Sequence, residues 1–207
     1  MVFTVQAEFG KARDFYRRFK QQAHDAGRSR NSLKILPGVV PIVGETHREA
    51  QDLWCELKDK VMPLAALTFM SASMNHDLAQ YPIDEPVPDI ADRITGSKGR
   101  FQAVLQKARD EGMTLAQLGV WYAQSLSFFS PVGTVQEVCD ALQHWHGEGA
   151  CDGFVVLPAI MPLGADDLLD RIVPELQGRG AFRTVYPGRT LRDTLGLEIP
   201  LNRHAVA

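Results

Sequence analysis

The sequence has few cysteines, no long apolar run and no basic cluster, and each absence excludes a class of protein. Three cysteines occur among 207 residues without a C-x-x-C pair, so neither a disulfide framework nor a cysteine-ligated zinc site is indicated. No apolar segment reaches the length that spans a bilayer. The net charge is -3 and lysine and arginine are dispersed, which argues against a nucleic-acid-binding protein.

The cysteines and the first residues also bear on location. Cys55 and Cys139 lie in helical patterns and Cys151 precedes an apolar run, so we interpret all three as buried thiols of a reducing compartment. The opening residues, MVFTVQAEFGK, show neither the basic start nor the apolar stretch of a secretory signal. These features predict a cytoplasmic protein.

The clearest structural unit of the sequence runs from 132 to 162. Thr134 and Glu137 have the S/T-x-x-E spacing of a capping box, and an apolar stripe at helical spacing follows them. Gly147 and Gly149 end this helix. The run DGFVVL at 152–157 then has no polar alternation, which predicts a strand buried on both faces, as in parallel sheets. A helix that leads into such a strand indicates an α/β fold.

Two further strands and five further helices are predicted by the same patterns. We expect parallel strands near 2–6, 34–42 and 153–157 that neighbour one another in one curved sheet, with helices on its outer face. Pro37 and Pro41 predict that the second strand is short or bent, because proline lacks a backbone donor. Apolar spacing and capping signals predict helices from about Phe9 to Gly27, from Thr46 to Val61, over 101–111, over 114–126 and over 166–176.

The region from 62 to 98 interrupts this alternation. Residues 77–98 contain three prolines and five acidic residues, which is typical of a functional lid or a linker. We expect an ordered loop without regular strands, pinned to the body by Tyr81 and Ile83. The chain is thus predicted to be one domain, 1–207, with an insertion or lid at 62–98 and a C-terminal tail at 178–207.

Six stretches in collinear order are similar to one protein family. The chain resembles the C-terminal half of the FMN-dependent monooxygenases of the bacterial-luciferase-like superfamily, in the nitrilotriacetate, pristinamycin-synthase and dibenzothiophene-sulfone branch. The similar stretches are VFTVQ at 2–6, LKILPGVVPIVGET at 33–46, DLAQYPIDEPVPD at 77–89, VGTVQEVCDALQHWHGEGACDGF at 132–154, VPELQGRGAFRTVY at 173–186 and TLRDTLGL at 190–197.

The resemblance implies a (β/α)₈ TIM-type barrel that uses reduced FMN and O₂ to oxidise a small organic substrate. It also implies a separate NAD(P)H-dependent flavin reductase as partner, and no metal. By the same resemblance, the first half of the barrel and most flavin contacts are expected to be absent from this chain. One loop departs from the family, since SLSFFSPVGT stands where relatives are usually basic.

Candidate cofactor-binding residues are few, and no catalytic residue is assigned. Gln6 ends the first strand, where barrel enzymes place ligand-binding side chains, although it could equally be a strand-end amide that satisfies the next turn. Gly133 and Thr134 open a helix whose N–H groups could bind an anion, although an ordinary N-cap explains them more simply. His144 and His146 are two residues apart and do not share a helix face, so they are a poor metal pair.

Three functional hypotheses follow from the sequence. The first is a flavin-dependent monooxygenase that is truncated relative to its family. The alternatives are an inactive fragment and a non-catalytic α/β binding module. We expect weak or no FMN binding by the isolated chain, and self-association through open sheet edges, because residues such as Phe3, Val39 and Val155 would face a gap.

Overall fold

The computed structural model describes residues 1–199 of the chain. Its strands are short, and its helices alternate with them in the first and last thirds of the sequence. The strands are β1 (Val2–Thr4), β2 (Ile35–Val39), β3 (Ile42–Val43), β4 (Val132–Gly133) and β5 (Val155–Val156), and the helices are α1 (Phe9–Asp25), α2 (His47–Asp59), α3 (Pro63–Met74), α4 (Lys98–Asp110), α5 (Leu115–Ser125), α6 (Val135–Gly147), α7 (Leu163–Asp166), α8 (Val173–Gly178) and α9 (Leu191–Leu195).

All the strand pairs are parallel, as the sequence predicts. β2 lies between β1 and β5, with Phe3 opposite Leu36 and Gly38 opposite Val155. The prediction that the three strands are parallel neighbours in one sheet is therefore confirmed, and the structure adds their order. A second pair, β3 with β4, places Ile42 opposite Val132. The sequence missed β4, because its two residues follow a serine-rich stretch and Pro131 and show no period of their own.

The strand buried on both faces is β2 and its continuation into β3, and not the predicted DGFVVL strand. Residues 37–44 are all buried, whereas 152–157 are all of intermediate exposure. The prediction failed because burial is decided by position in the sheet. β2 has a neighbour along each edge, and β5 is an outer strand of the three.

The predicted bend between 33 and 43 is confirmed. β2 and β3 are separated by Val40 and Pro41, and the chain keeps its pairing with the segment before α6 across that break. Val40 N donates to the carbonyl of Phe129 at 2.9 Å, and Ile42 N donates to the carbonyl of Pro131 at 2.9 Å. Pro41 has no donor to contribute, so the ladder passes over it.

Helical side chains cover the central strands through separate apolar clusters. Val39 and Val43 pack with Val138 and Leu142 of α6. Val40 and Ile42 cluster with Phe128, and Leu53, Trp54 and Leu57 of α2 pack against that cluster. The helices α6 and α2 therefore pack against different residues of the central strands.

The predicted gap residues divide into two groups. Phe3 is half exposed and Val155 is of intermediate exposure, whereas Val39 is fully buried. Val39 was misjudged because α6 covers its face. Phe3 keeps one partner, since its ring centroid lies 5.7 Å from that of Phe128. Phe128 in turn lies on Gly38, where a Cβ atom would come within 2.5 Å of its ring.

The helices α3, α4 and α5 enclose the largest core of the molecule. The segment between α3 and α4 is ordered against it, with Tyr81 and Ile83 packed on the core as predicted. Apart from a 3₁₀ turn at Ala91–Arg93 and an isolated bridge to Thr114, residues 77–97 contain no regular element. Backbone bonds from Leu115 and Ala116 to the carbonyls of Glu85 and Ile83 fix the segment to the start of α5.

The C-terminal part is a broken helix followed by an extended tail. α7 and α8 are joined by a π-helical turn, Asp167–Ile172, so the predicted helix over 166–176 is confirmed with an irregular middle. Arg179 donates to the carboxylates of Glu175 and Asp140, which ties the end of α8 to α6. The predicted tail, 178–207, lies outside the described residues from 200 onward. None of the helices within 1–199 is both long and apolar enough to cross a membrane.

Candidate functional site

A cleft of about 520 Å³ opens between the end of β1 and the start of α4. Gln6 lies in its wall, so the residue that the sequence singled out at the end of the first strand does face a cleft. The strand residues and the following turn, 2–8, form one side. The first turns of α4, together with Trp121 and Ser127, form the other. We call this the β1–α4 cleft.

The charged residues of the cleft are mostly basic. Lys11, Arg18, Arg100 and Lys107 line it, against the single acidic residue Glu8. Lys11 pairs with Glu8 at 2.9 Å, and Lys107 pairs with Glu111 on its own helix. Within residues 1–199, no carboxylate lies at ion-pair distance from Arg18 or Arg100. Two guanidinium groups of the cleft are thus without a counter-charge from the described part of the chain.

Arg100 is held in a fixed orientation by the loop after α5. Its Nε donates to Ser127 Oγ at 3.2 Å and its Nη2 donates to the carbonyl of Leu126. Its guanidinium carbon lies 5.0 Å from the ring centroid of Tyr122 and 5.6 Å from that of Phe128. Burial lowers the pKa of Arg100, because a low-dielectric surrounding disfavours its charged form.

The loop that holds Arg100 is itself strained. Leu126 and Ser127 have φ values of 51° and 58°. These values lie in the left-handed region, which is unfavourable for residues other than glycine. This is the loop SLSFFSPVGT, in which the sequence shows no basic residue. The structure places a basic side chain beside it after all, contributed by α4 rather than by the loop. That contact could not be read from the sequence, because the two partners are 26 residues apart.

Unpartnered polar groups are present near the cleft. Thr4 lines it, and its buried Oγ1 has no hydrogen-bond partner among residues 1–199. The same holds for the hydroxyl of Tyr122, whose ring lies beside the Arg100 guanidinium. The N-cap residue of α4, Ser97, makes no capping bond, and the first turn of α4 contains no acidic residue. A helix start without a cap leaves N–H groups free to bind a ligand.

Gly133 and Thr134 form an occupied helix cap and do not line the β1–α4 cleft. Thr134 Oγ1 accepts from Glu137 N at 3.3 Å, and Glu137 Oε2 accepts from Thr134 N at 2.8 Å, which confirms the predicted capping box. A Cβ atom on Gly133 would lie 2.5 Å from the same carboxylate oxygen. The carboxylate of Glu137 therefore already takes the place that an anion would occupy at this helix start.

The hydrogen bond from Thr134 N lowers the pKa of Glu137, and the bond to His47 lowers it further. His47 Nδ1 lies 3.1 Å from Glu137 Oε2 and so connects α2 to α6. Both side chains are about half exposed. This pair serves to join two helix starts, and it makes the Thr134 site a structural cap.

A second polar cluster, around Lys20, was not predicted from the sequence. Lys20 Nζ lies 2.8 Å from Asp152 Oδ2, with only 5% of the lysine side chain exposed. Asp152 also accepts from Tyr16 OH at 3.0 Å and from Ile35 N at 2.8 Å. Burial, and then Asp152, raise the pKa of Tyr16 to about 12. Every member has a partner, so the cluster fixes α1 to the sheet.

The spacing of Tyr16 and Lys20 was the available signal for this cluster. The two residues are four apart, hence on one face of α1, and that face also carries the buried Ala12 and Ala23. A lysine within an apolar stripe is a candidate for a buried pair, but its partner lies 132 residues away.

Within residues 1–199, no group of three or more histidine, cysteine, aspartate or glutamate side chains could hold a metal ion.

The chain is similar to several curated monooxygenases over almost its whole length. It is 37% identical over 207 residues to N-acetyl-S-(2-succino)cysteine monooxygenase of Bacillus subtilis, with 99% of this chain and 47% of that protein covered. It is 38% identical over 203 residues to nitrilotriacetate monooxygenase component A of Aminobacter aminovorans, with 98% of this chain and 45% of that protein covered. The chain thus spans about half the length of the relatives it matches. No family model matches it.

Solved structures also match nearly the whole of this chain, and it again covers less than half of each of them. DmoA from Hyphomicrobium sulfonivorans matches with a TM-score of 0.78 and 27% identity, over 93% of this chain and 40% of that one. A riboflavin lyase solved with modified FMN and riboflavin matches with a TM-score of 0.76 and 26% identity, over 95% of this chain and 42% of that one. The parallel α/β arrangement of the chain is therefore shared with roughly two fifths of each neighbour.

Proposed function

We propose that this chain, which corresponds to the C-terminal half of a luciferase-like flavin-dependent monooxygenase, takes part in the oxidation of a small organic substrate by reduced FMN and O₂. The carrying observation is the identity of 36 to 38% over nearly the whole chain with three curated monooxygenases of different substrates. A similarity that extends over all the elements, and not over one motif, supports a shared fold and shared chemistry.

The architecture we propose is part of a (β/α)₈ barrel. Support comes from the parallel strands β1, β2 and β5 and from the helices that alternate with them. We propose that residues 62–98 form an insertion or lid and that 178–207 form a tail outside the barrel. The insertion is supported by its own core, which forms with α4 and α5 and draws little on the sheet.

The candidate cofactor-binding residues of this chain offer few contacts to a flavin. A phosphate at Gly133 and Thr134 would have to displace the carboxylate of Glu137, so these two residues do not fit it. Gln6 does line a cleft, and it stays our candidate for a polar contact to cofactor or substrate. We derive no step through the flavin from these residues, and we expect the isolated chain to bind FMN weakly or not at all.

The proposed partners are an NAD(P)H-dependent flavin reductase and a further copy of the chain. Self-association is supported by exposed apolar side chains on β1 and α3, namely Phe3, Leu64 and Phe69. We propose the cytoplasm as location on the basis of the three unpaired cysteines. Cys139 and Cys151 are buried as predicted, whereas Cys55 is exposed on α2, so the prediction of a buried thiol was wrong for that residue.

Two substrate classes are represented among the relatives. N-acetyl-S-(2-succino)cysteine and nitrilotriacetate, which name two of them, are rich in carboxylates. Dibenzothiophene sulfone, which names a third, has no charge. Because these classes differ in charge, the electrostatics of a binding cleft can discriminate between them.

A segment exchange tests the proposed function. This chain replaces the segment it matches in the Bacillus subtilis relative, and oxygen uptake is measured with FMN, NADH, a flavin reductase and each of the three substrates. We expect substrate-dependent oxygen uptake with at least one of them. A chimera that melts cooperatively and binds FMN, yet oxidises none of the three, would contradict the proposal. The unexchanged relative is the control.

FMN titration of the isolated chain tests the expectation of weak binding. Quenching of flavin fluorescence reports the complex directly, and Gln6→Ala serves as the matched variant. We expect no saturation in the micromolar range. Micromolar or tighter binding that Gln6→Ala weakens would show that the chain carries a flavin site of its own.

A further inference from the structure

We infer that the β1–α4 cleft binds a small organic anion with several carboxylates, and that Arg18 and Arg100 are the groups that recognise it. That this ligand is a substrate rests on the proposed monooxygenase function. That the cleft binds such an anion rests on the residues of the cleft alone. It selects the carboxylate-rich class over the uncharged class.

The cleft is lined mainly by basic residues, whereas the chain as a whole carries a negative net charge. The whole protein carries a net charge of -3, whereas four of the five charged residues that line this cleft are basic. Like charges lining one cleft repel one another, and the effect is larger where water is partly excluded. A polyanionic ligand would relieve this repulsion, while an uncharged ligand would leave it in place.

Arg100 is the best-prepared group for such a ligand. Its contacts to Ser127 Oγ and the Leu126 carbonyl use only part of its donors, since a guanidinium has five N–H groups. The rings of Tyr122 and Phe128 hold the guanidinium plane, and no carboxylate of residues 1–199 neutralises it. A planar guanidinium fixed in this way matches a carboxylate in a two-bond geometry.

The remainder of the cleft supports the same ligand. The uncapped start of α4 adds N–H donors and a partial positive charge on the side from which Arg100 projects. Phe3, Phe15 and Trp121 line the same cleft and can pack against the hydrocarbon part of the ligand.

The size of the cleft limits the class of ligand. A volume of about 520 Å³ falls within the range of roughly 300–1,000 Å³ that is usual for small-molecule sites. Arg18 and Arg100 both line this cleft, and we place one carboxylate of the ligand on each. The geometry therefore points to a compact polycarboxylate and not to a polyanionic chain such as nucleic acid.

Calorimetric titration of the full chain with tricarballylate, without flavin, tests the inference. We expect saturable binding, and none of the uncharged tricarballylamide. Arg18→Gln and Arg100→Gln should each weaken binding by about tenfold, since each removes a charge-assisted contact. The control is Arg48→Gln, which removes an equal charge from an exposed arginine of α2 and should leave the affinity unchanged.

Arg18→Gln carries the test if Arg100→Gln fails to fold, because Arg18 is exposed and has no carboxylate partner within residues 1–199. Equal weakening by Arg48→Gln would show unspecific charge attraction and overturn the inference. Tighter binding of inorganic phosphate than of tricarballylate would overturn the carboxylate assignment. Failure of the proposed function is a separate result, because these titrations contain no flavin and no reductase.

Discussion

The helical region and the sheet region of this molecule bury their apolar residues in different ways. The helical region, formed by α3, α4, α5 and the segment 75–97, has one continuous core of 13 buried residues. The buried residues of the sheet region are divided among three smaller clusters. One of its strands, β1, leaves Phe3 half exposed, and β5 is buried only in part.

The difference teaches that the helical region is the more self-sufficient of the two. Its helices supply both sides of their own interface, so its core closes locally. The sheet region depends on contacts between residues far apart in sequence, such as Lys20 with Asp152 and β2 with β5. Regions with fewer buried apolar contacts open more readily. We therefore expect hydrogen exchange to be slower in α4 and α5 than in β1 and β5.

The largest expected effect concerns the helical core. Phe101→Ala removes a fully buried ring that lies 5.6 Å from Tyr122, and it should lower the free energy of unfolding by about 3–5 kcal/mol. Urea denaturation followed by circular dichroism measures the loss. Phe69→Ala is the control, because half of that side chain is already exposed and it should cost much less. Equal losses for the two variants would show that the helical core is not closed.

The next effect concerns the long-range link of the sheet region. Lys20→Met leaves the carboxylate of Asp152 without its cation, and it should cost about 3 kcal/mol, at the lower end for a broken buried pair, because Tyr16 and Ile35 still donate to Asp152. Chemical denaturation with hydrogen exchange locates the loss, which we expect in β1, β2 and β5.

Two further variants sharpen that measurement. Lys11→Met breaks a pair with Glu8 that is about half exposed, and it should cost less than about 1 kcal/mol. Lys20→Met combined with Asp152→Leu removes both charges and should recover part of the loss. If Lys20→Met is no worse than Lys11→Met, the sheet region does not depend on this link.

The smallest effect is a pH dependence at the same cluster. The pKa of Tyr16 is raised from 10.0 to about 12, chiefly by burial and then by Asp152, so the folded state keeps the phenol neutral where the unfolded state ionises it. This contribution to stability is complete below pH 10 and is lost as the pH rises from 10 toward 12. Melting temperatures measured on both sides of pH 10 should show a decline that is weaker in Tyr16→Phe. Tyr186→Phe, in the exposed tail, should keep the full decline.

Several elements could be predicted because their signals are local. The capping box of Thr134 and Glu137 and the helix over 135–147 depend on residues within one turn of each other. Tyr81 and Ile83 were expected to anchor the proline-rich segment, and they do pack on the helical core. The parallel direction of β1, β2 and β5 follows from the helices between them, which return the chain to the same end of the sheet.

Of the residues that line the β1–α4 cleft, only Gln6 was singled out as a candidate from the sequence. Gln6 follows from its place at the end of a strand. Arg18 and Arg100 carry no motif, and they line the same cleft from two helices, α1 and α4, that are far apart in the sequence. Thr134 was a reasonable anion candidate by sequence, but Glu137 fills its cap. Such outcomes depend on which side chains occupy a site in the folded protein, and local sequence patterns do not contain that information.

The sequence by itself determined the position of most of the longer helices, because capping signals and apolar spacing act within a few residues. It also determined the parallel direction of the sheet, through the helices between the strands, and the family that the chain resembles, through six stretches along its whole length. The tertiary structure decided the rest. It made β2 the buried strand, paired Lys20 with Asp152 and placed Arg100 in a cleft where none of residues 1–199 supplies a counter-charge. Burial and charge pairing are sums over neighbours that are distant in the chain, so they are settled only when the elements pack.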